Sequence, residues 1–220
     1  SLALAAVMVA SGISVAVPAD AQSRRAAPVA APAQTGAQPR YTVLRDVAFS
    51  TSVPAASGVL VVFASAEGDL SARGLDTATA EAVAAGLTAA GFDYGARKTI
   101  SLYNVAGWSR VFVVGLKADA KANDIQTAGT IAGRALMSEA ATLTVAAKGL
   151  SNESVSEIVT GLGIGQYRVD FYNTTRSNDA KGDITVVADS ADAQSHYLAR
   201  GAHIVDAVYW TRNISNEPAN

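Results

Sequence analysis

The hydrophobic pattern alternates between two kinds of segment along most of this chain. Gly58-Val-Leu-Val-Val-Phe-Ala64 and Arg110-Val-Phe-Val-Val-Gly-Leu116 are unbroken apolar runs bounded by turn residues, the mark of strands buried on both faces. Lys98 to Val105 alternates in polarity and predicts a strand joined to the second run through a hairpin turn at Gly107-Trp108. Ala141–Ala146 and Asp183–Ala188 read as two further strands, and the β-formers of Tyr41–Phe49 as one strand or two short ones, closed by Pro54 and Gly58. Between the strands lie helical segments. One follows the N-cap Asp76 and stops before Gly91; another covers Asn123 to Ser138, with Ile125, Ala128, Ala132, Ala135 and Leu136 at helical spacing and Asn123 or Asp124 as cap. A third starts from Ser151 or Asn152 and runs through Ile158 and Leu162, and the last spans about Ala191 to Thr211. Strands separated by helices of roughly 10–20 residues require crossover connections, so the fold class is α/β: a mixed, largely parallel central sheet with helices on both faces.

The two ends obey other rules. Leu2 to Val17 is almost entirely Ala, Val, Leu, Met and Ile, shorter than a bilayer span, and Ala19-Asp20-Ala21 fits a small-x-small cleavage site. Residues 1–21 are therefore expected to be a signal peptide, cleaved after Ala21 and clipped at its start, because a basic region and initiator Met do not precede Ser1. The Pro-, Ala- and Gln-rich stretch 22–40 reads as an extended linker, 41–211 as one α/β domain and 212–220 as a hinge. Export to the periplasm or medium is the expected localisation, with no membrane span left after cleavage.

Half of the residues are apolar but only 6% are aromatic, so alanine and valine supply the core. Seventeen Lys and Arg against nineteen Asp and Glu, without a basic run, give nucleic-acid binding no electrostatic support. Cysteine is absent, which removes thiolate metal sites and cysteine nucleophiles; no Gly-x-Ser-x-Gly or His-Glu-x-x-His occurs either. Gly161-Leu-Gly-Ile-Gly165 approaches a dinucleotide loop, but Gln166 replaces the third glycine and the segment comes after a helix instead of a strand, so a glycine-permitted turn with close packing is the better reading. His196 and His203 stand seven apart on the last helix, too far for one ion; a polar helix face is expected, with Asp206 placed to pair with His203. Asp170, Asp183 and Glu217 are isolated carboxylates, read as cap, turn or hinge residues. No catalytic, cofactor-binding or metal-binding residue is assigned to this chain.

Three segments resemble one family, in that family's order. Val111-Phe-Val-Val-Gly-Leu116 with Gln126-Thr-Ala-Gly-Thr-Ile-Ala-Gly-Arg-Ala-Leu136 is similar to a strand ending in Gly-Leu followed by a helix with a small-residue packing face. Thr160 to Thr174 resembles a Glu-Gly-x-x-Leu-Gly-x-Tyr-x-Phe-Asp-x-Tyr-Lys-Thr stretch, matching at Gly161, Gly165, Tyr167, Asp170, Tyr172 and Thr174 and departing at Thr160, Gly163, Val169 and Asn173. The closing segment matches at Arg212, Asn216, Glu217, Pro218 and Asn220 and differs at Asn213, Ser215 and Ala219. Together they resemble the N-terminal domain of leucyl (cytosol) aminopeptidases over residues 41 to 220. The resemblance implies a macro-domain-like domain that serves assembly, as in a homo-hexamer, beside a catalytic domain of the same protein expected after Asn220. There, two divalent ions, Zn or Mn, held by a lysine and carboxylates, would release N-terminal amino acids from peptides, and this chain alone would be inactive. The alternative is a stand-alone, non-enzymatic exported macro-like binding or assembly module; a third reading is that the crevice of the sheet binds a small ligand at a topological switch point.

Overall fold

A computed structural model describes residues 44–168 and 181–216. Six strands form one sheet: β1 (Val47–Ser50), β2 (Val59–Ala64), β3 (Thr99–Val105), β4 (Trp108–Gly115), β5 (Leu143–Ala146) and β6 (Ile184–Val187), in the order β1-β6-β5-β2-β4-β3. All neighbours are parallel except the edge strand β3, which pairs antiparallel with β4. The helices are α1 (Asp69–Ala72), α2 (Thr77–Ala89), α3 (Ala122–Ala135), α4 (Asn152–Gly165), α5 (Asp192–His196) and α6 (Ala202–Ser215), the last two joined by a π-helical turn, Tyr197–Gly201.

The central strand β2 is fully buried and divides its side chains between two cores. Val59, Val61 and Phe63 face α3, α4 and α5, together with Phe112, Val114, Leu143, Val145, Ile184 and Val186. Leu60, Val62 and Ala64 face α1 and α2 through Leu70, Ala80, Val83 and Leu87. Each such side chain fully removed from water stabilises the fold by roughly 1.5–3 kcal/mol, which is why an aromatic-poor sequence can still close two layers over one sheet.

Several local expectations are corrected. Trp108 is not in the hairpin turn; it pairs with Val105 and is buried, and the turn is Ala106-Gly107, both at positive φ (50° and 84°) as a two-residue hairpin of this hand requires. Asn123 and Asp124 do not start α3, because Lys121 is its N-cap and the Asp124 carboxylate reaches back to accept from the Lys121 N–H at 3.4 Å. Ala135 is exposed, and α3 ends there. Of the stretch Tyr41–Phe49, residues 41–43 lie outside the described residues and β1 starts at Val47, while Arg45 turns inward to donate to the carbonyls of Glu139, Ala141 and Gly182, clamping the amino-terminal edge of the sheet. The caps Asp76 and Ser151 are as expected, accepting from Thr79 N–H at 3.0 Å and Ser154 N–H at 3.2 Å.

The largest correction concerns Gly161-Leu-Gly-Ile-Gly165, which is not a turn but the last part of α4. A Cβ on Gly161 or Gly165 would lie closer than 3.0 Å to the Gln126 or Thr130 carbonyl of α3; one on Gly129 or Gly133 would strike Ile158 or Leu162 of α4 in the same way. Backbone meets backbone along this seam, from both sides, at four-residue spacing. Gly163 points the other way, where a Cβ would come within 2.8 Å of Val205 in α6. Helix-interior glycine costs about 1 kcal/mol relative to alanine, so five of them in two helices are retained for this close approach.

The π-turn has an equally direct cause. The buried positions of the final helix, Ala193, Tyr197, Gly201, Val205 and Tyr209, recur every fourth residue. Over that distance a regular α-helix would rotate Tyr209 about 160° away from Ala193, and the wider i to i+5 turn takes up much of this drift and keeps one face on α4. Gly201 sits where the turn presses on Thr160.

Replacing Gly161 with Ala is expected to destabilise the domain by about 3 kcal/mol through overpacking of a backbone contact that cannot yield. Gly68→Ala, where an added Cβ meets nothing within 4 Å, is the control and leaves the thermal midpoint unchanged. Thermal unfolding followed by circular dichroism makes the comparison, and equal midpoints for the two variants would refute the close-packed seam.

Candidate functional site

Sheets of this type bind ligands in the crevice outside the carboxyl ends of their parallel strands. Here, among the described residues, two charged side chains lie along that edge of the sheet. Beyond β2 the chain turns so that Ser65 N–H, Ser65 Oγ–H and Ala66 N–H converge on one oxygen of Asp69, at 2.6, 2.8 and 3.3 Å. One helical turn later the buried Arg73 extends across the strand ends, donating from Nε to Phe63 O at 2.9 Å and from Nη1 to Lys148 O at 3.1 Å, with Asp69 3.8 Å from Nη2. The guanidinium thus joins the end of β2 to the segment after β5. Gly149, just beyond Lys148, is fixed in turn by donating its N–H to Asp189 at 2.8 Å. Beside β4 a cavity of about 10 Å³, bordered by Arg97, Gly115, Lys117 and Asp124, is about the space a single water needs. Burial opposes ionisation of Asp69, but the two Ser65 hydrogen bonds, with help from Arg73 and Ala66, outweigh it and hold the carboxyl below its ordinary value.

The second candidate is the end of the domain. Tyr167, two residues past α4, stacks edge-on against Tyr209 of α6 at 5.1 Å between ring centres, and the Arg212 guanidinium lies 5.2 Å over its ring. Its hydroxyl donates to Asn213 Oδ1 at 3.1 Å and accepts from Asn216 Nδ2 at 3.4 Å. Tyr209 donates to Gly163 O at 3.1 Å, and burial raises its pKa, keeping the hydroxyl in that donating form. Nearer the start of α4 the buried Glu157 accepts from Gln126 of α3 at 2.9 Å and Arg200 of the π-turn at 2.7 Å. The three segments singled out in the sequence therefore meet: α3 on α4 through the glycine seam, and Tyr167 on Arg212 and Asn216.

The remaining sequence candidates do not assemble. His196 Nδ1 is 4.0 Å from Glu153 at the surface, while His203 and Asp206 are exposed and no ion pair joins them, against expectation; α6 turns both toward solvent. Asp183 is exposed just before β6, and its carbonyl accepts from Leu143 N–H. Asp170 and Glu217 lie outside the described residues. Among the described residues no three His, Asp or Glu side chains lie together so as to hold a metal ion, so they offer no donor set for the ion pair that the resemblance implies. Sequence reasoning missed Arg73, Asp69, Glu157 and Arg200; the i, i+4 pair Asp69/Arg73 directly after a buried strand was the available signal.

Residues 59–176 match the model of the cytosol aminopeptidase family, N-terminal domain. The chain belongs to the cytosol aminopeptidase family. A probable cytosol aminopeptidase of Dinoroseobacter shibae is 33% identical over 174 residues, covering 77% of this chain and 35% of that protein. One from Caulobacter vibrioides is 28% identical over 157 residues, covering 68% and 32%. A tomato leucine aminopeptidase mutant superposes with a TM-score of 0.60 at 16% identity over 83% of this chain and 40% of its own, and the bottromycin maturation enzyme BotP with 0.51 at 20% identity over 74% and 33%. These two likenesses establish the shared α/β fold. The chain spans about a third of the length of the curated aminopeptidases it matches.

A carboxyl held below its unfolded pKa stabilises the domain above that pKa, and the contribution disappears as pH falls through the folded value. For Asp69 the loss falls in the acid range below about pH 4. Asp69→Asn should therefore be less stable than wild type at pH 7 and show a shallower decline of thermal midpoint on acidification; parallel curves would remove Asp69 from the acid response.

Proposed function

We propose that this chain is the N-terminal accessory domain of an exported aminopeptidase that releases N-terminal amino acids from peptides, the chemistry being carried out by a metal-bearing catalytic domain of the same protein. The observation that carries this reading is the family match itself, which falls on the N-terminal domain and on the segments whose packing builds α3, α4 and the start of the Tyr167 cluster. The domain's role is mechanical: it holds the final helix, and with it the route to the next domain, in one direction, and it serves assembly of the homo-oligomer. The two ions, Zn or Mn, belong to the catalytic domain in this reading, where they would polarise the peptide carbonyl and supply hydroxide.

The export part rests on the apolar run Leu2 to Val17 and the Ala19-Asp20-Ala21 site. N-terminal sequencing of the protein recovered outside the cytoplasm should begin at Gln22; a mature form that retains Leu2 would sink the signal-peptide assignment.

The purified 220-residue chain, supplied with Mn, should hydrolyse leucine amide no faster than a metal-free blank. Turnover above that blank, retained through a second purification step, would place the catalytic residues in this chain and end the accessory reading.

A further inference from the structure

The final helix buries one line of residues, and the line beside it is exposed except at Ala202, which packs partly against the core. One position after each of Ala193, Tyr197, Gly201, Val205 and Tyr209 come Gln194, Leu198, Ala202, Asp206 and Trp210, and four further on Ile214. Because both lines share the same spacing they share the same twist, so these residues form a continuous flank along α5, the π-turn and α6. Leu198 is 52% exposed, Trp210 67% and Ile214 50%, three of the five large apolar side chains that the described residues leave exposed. Scattered apolar residues need no account, but alignment of three on one side of one helix marks an interaction surface, and an exposed Trp is the residue most often central to one.

Charge narrows the occupant. A helix that lies on a membrane carries Lys and Arg beside its apolar face. Here Arg200 is drawn to Glu157 and Arg212 to the ring of Tyr167, both toward the domain, and the charge left on the flank is the acid Asp206. The flank therefore suits a protein surface that is apolar with a basic residue at its centre. Position narrows it further. Ile214 stands one residue before the end of α6, and the matched relatives are about three times as long as the part aligned with this chain. A domain tethered directly to that helix end would meet the flank at a millimolar effective concentration without any separate affinity.

We infer that the Leu198–Asp206–Trp210–Ile214 flank is the docking surface for the catalytic domain that comes after the N-terminal domain in the longer members of the family, with a Lys or Arg of that domain opposite Asp206. This rests on the accessory-domain function proposed above. Docking there fixes the two domains through the same helix whose direction is set by the Tyr167 cluster.

The test is hydroxyl-radical footprinting of the protein encoded by the whole gene, set beside the 220-residue chain. Tyr103, 65% exposed on the edge strand β3 far along the sheet, serves as internal standard. Oxidation of Leu198, Trp210 and Ile214 should slow at least about fivefold in the whole protein, as expected for side chains taken into an interface core, with Tyr103 unchanged. Equal rates in a whole protein that retains aminopeptidase activity would overturn the docking surface and leave the proposed function standing. A reading frame that closes at Asn220 would overturn the proposed function and the occupant together. Protection that grows with concentration of the 220-residue chain alone would assign the flank to a second copy and overturn the inference as stated. Trp210→Glu with Ile214→Glu gives the independent check: the thermal midpoint of the 220-residue chain stays the same, while the whole protein changes from one unfolding transition to two.

Discussion

The architecture depends on the contact between α3 and α4, where two helix backbones approach with no side chains between them. Gly129 and Gly133 on one helix and Gly161 and Gly165 on the other leave carbonyl oxygens against Cα atoms along the whole seam. Apolar burial could hold these helices on the sheet at an ordinary separation, but not at this one. Even a methyl group at any of the four positions would force them apart. The reciprocity matters, because relaxing one glycine cannot be absorbed by the other helix, which has its own glycine at the same level.

The later elements of the chain inherit that position. With α4 fixed against α3, its opposite side, opened by Gly163, receives Val205, and the final helix can lie equally close. The four-residue spacing of its buried positions is incompatible with a uniform α-helix, and the π-turn between α5 and α6 reconciles the two. Tyr167 then fastens the end of α4 to the last turn of α6 through a stacked ring, a cation over its face and two amide side chains on its hydroxyl. Each link is modest alone, about 1 kcal/mol for a typical hydrogen bond or aromatic pair. Their convergence on one ring makes the direction of the helix end a property of the core.

Much of the sheet was legible, and for a clear reason. A run such as Val59–Phe63 bounded by Gly58 admits few alternatives, and helices punctuated by Asp76 or Ser151 at one end carry their start signals locally. The errors arose where one residue type serves two physical purposes. Glycine signals a turn through its freedom of φ and close packing through its missing Cβ; at Gly161–Gly165 the second holds, and only the partner helix reveals it. Trp108 looked like part of a turn because it comes directly after Gly107, yet the two-residue loop closes one position earlier by placing Ala106 at positive φ. Arg73 was invisible for a different reason: nothing in its neighbourhood says that a charged side chain will be spent on the carbonyls of Phe63 and Lys148, because that use depends on β5, far away in sequence.

The placement of charge and of aromatic surface gives the domain its character. Arg45, Arg73 and Glu157 are buried or nearly so, and each holds backbone or a neighbouring helix in place. Buried charges of this kind are costly to strand, so each resists separation of the elements it joins. Beside the last helix, Tyr167, Tyr197 and Tyr209 are turned inward and Trp210 outward. In the accessory role proposed above, the buried arginines fix the domain's own elements while Leu198, Trp210 and Ile214 beside the final helix stay free to meet a neighbour, so specificity would lie in geometry.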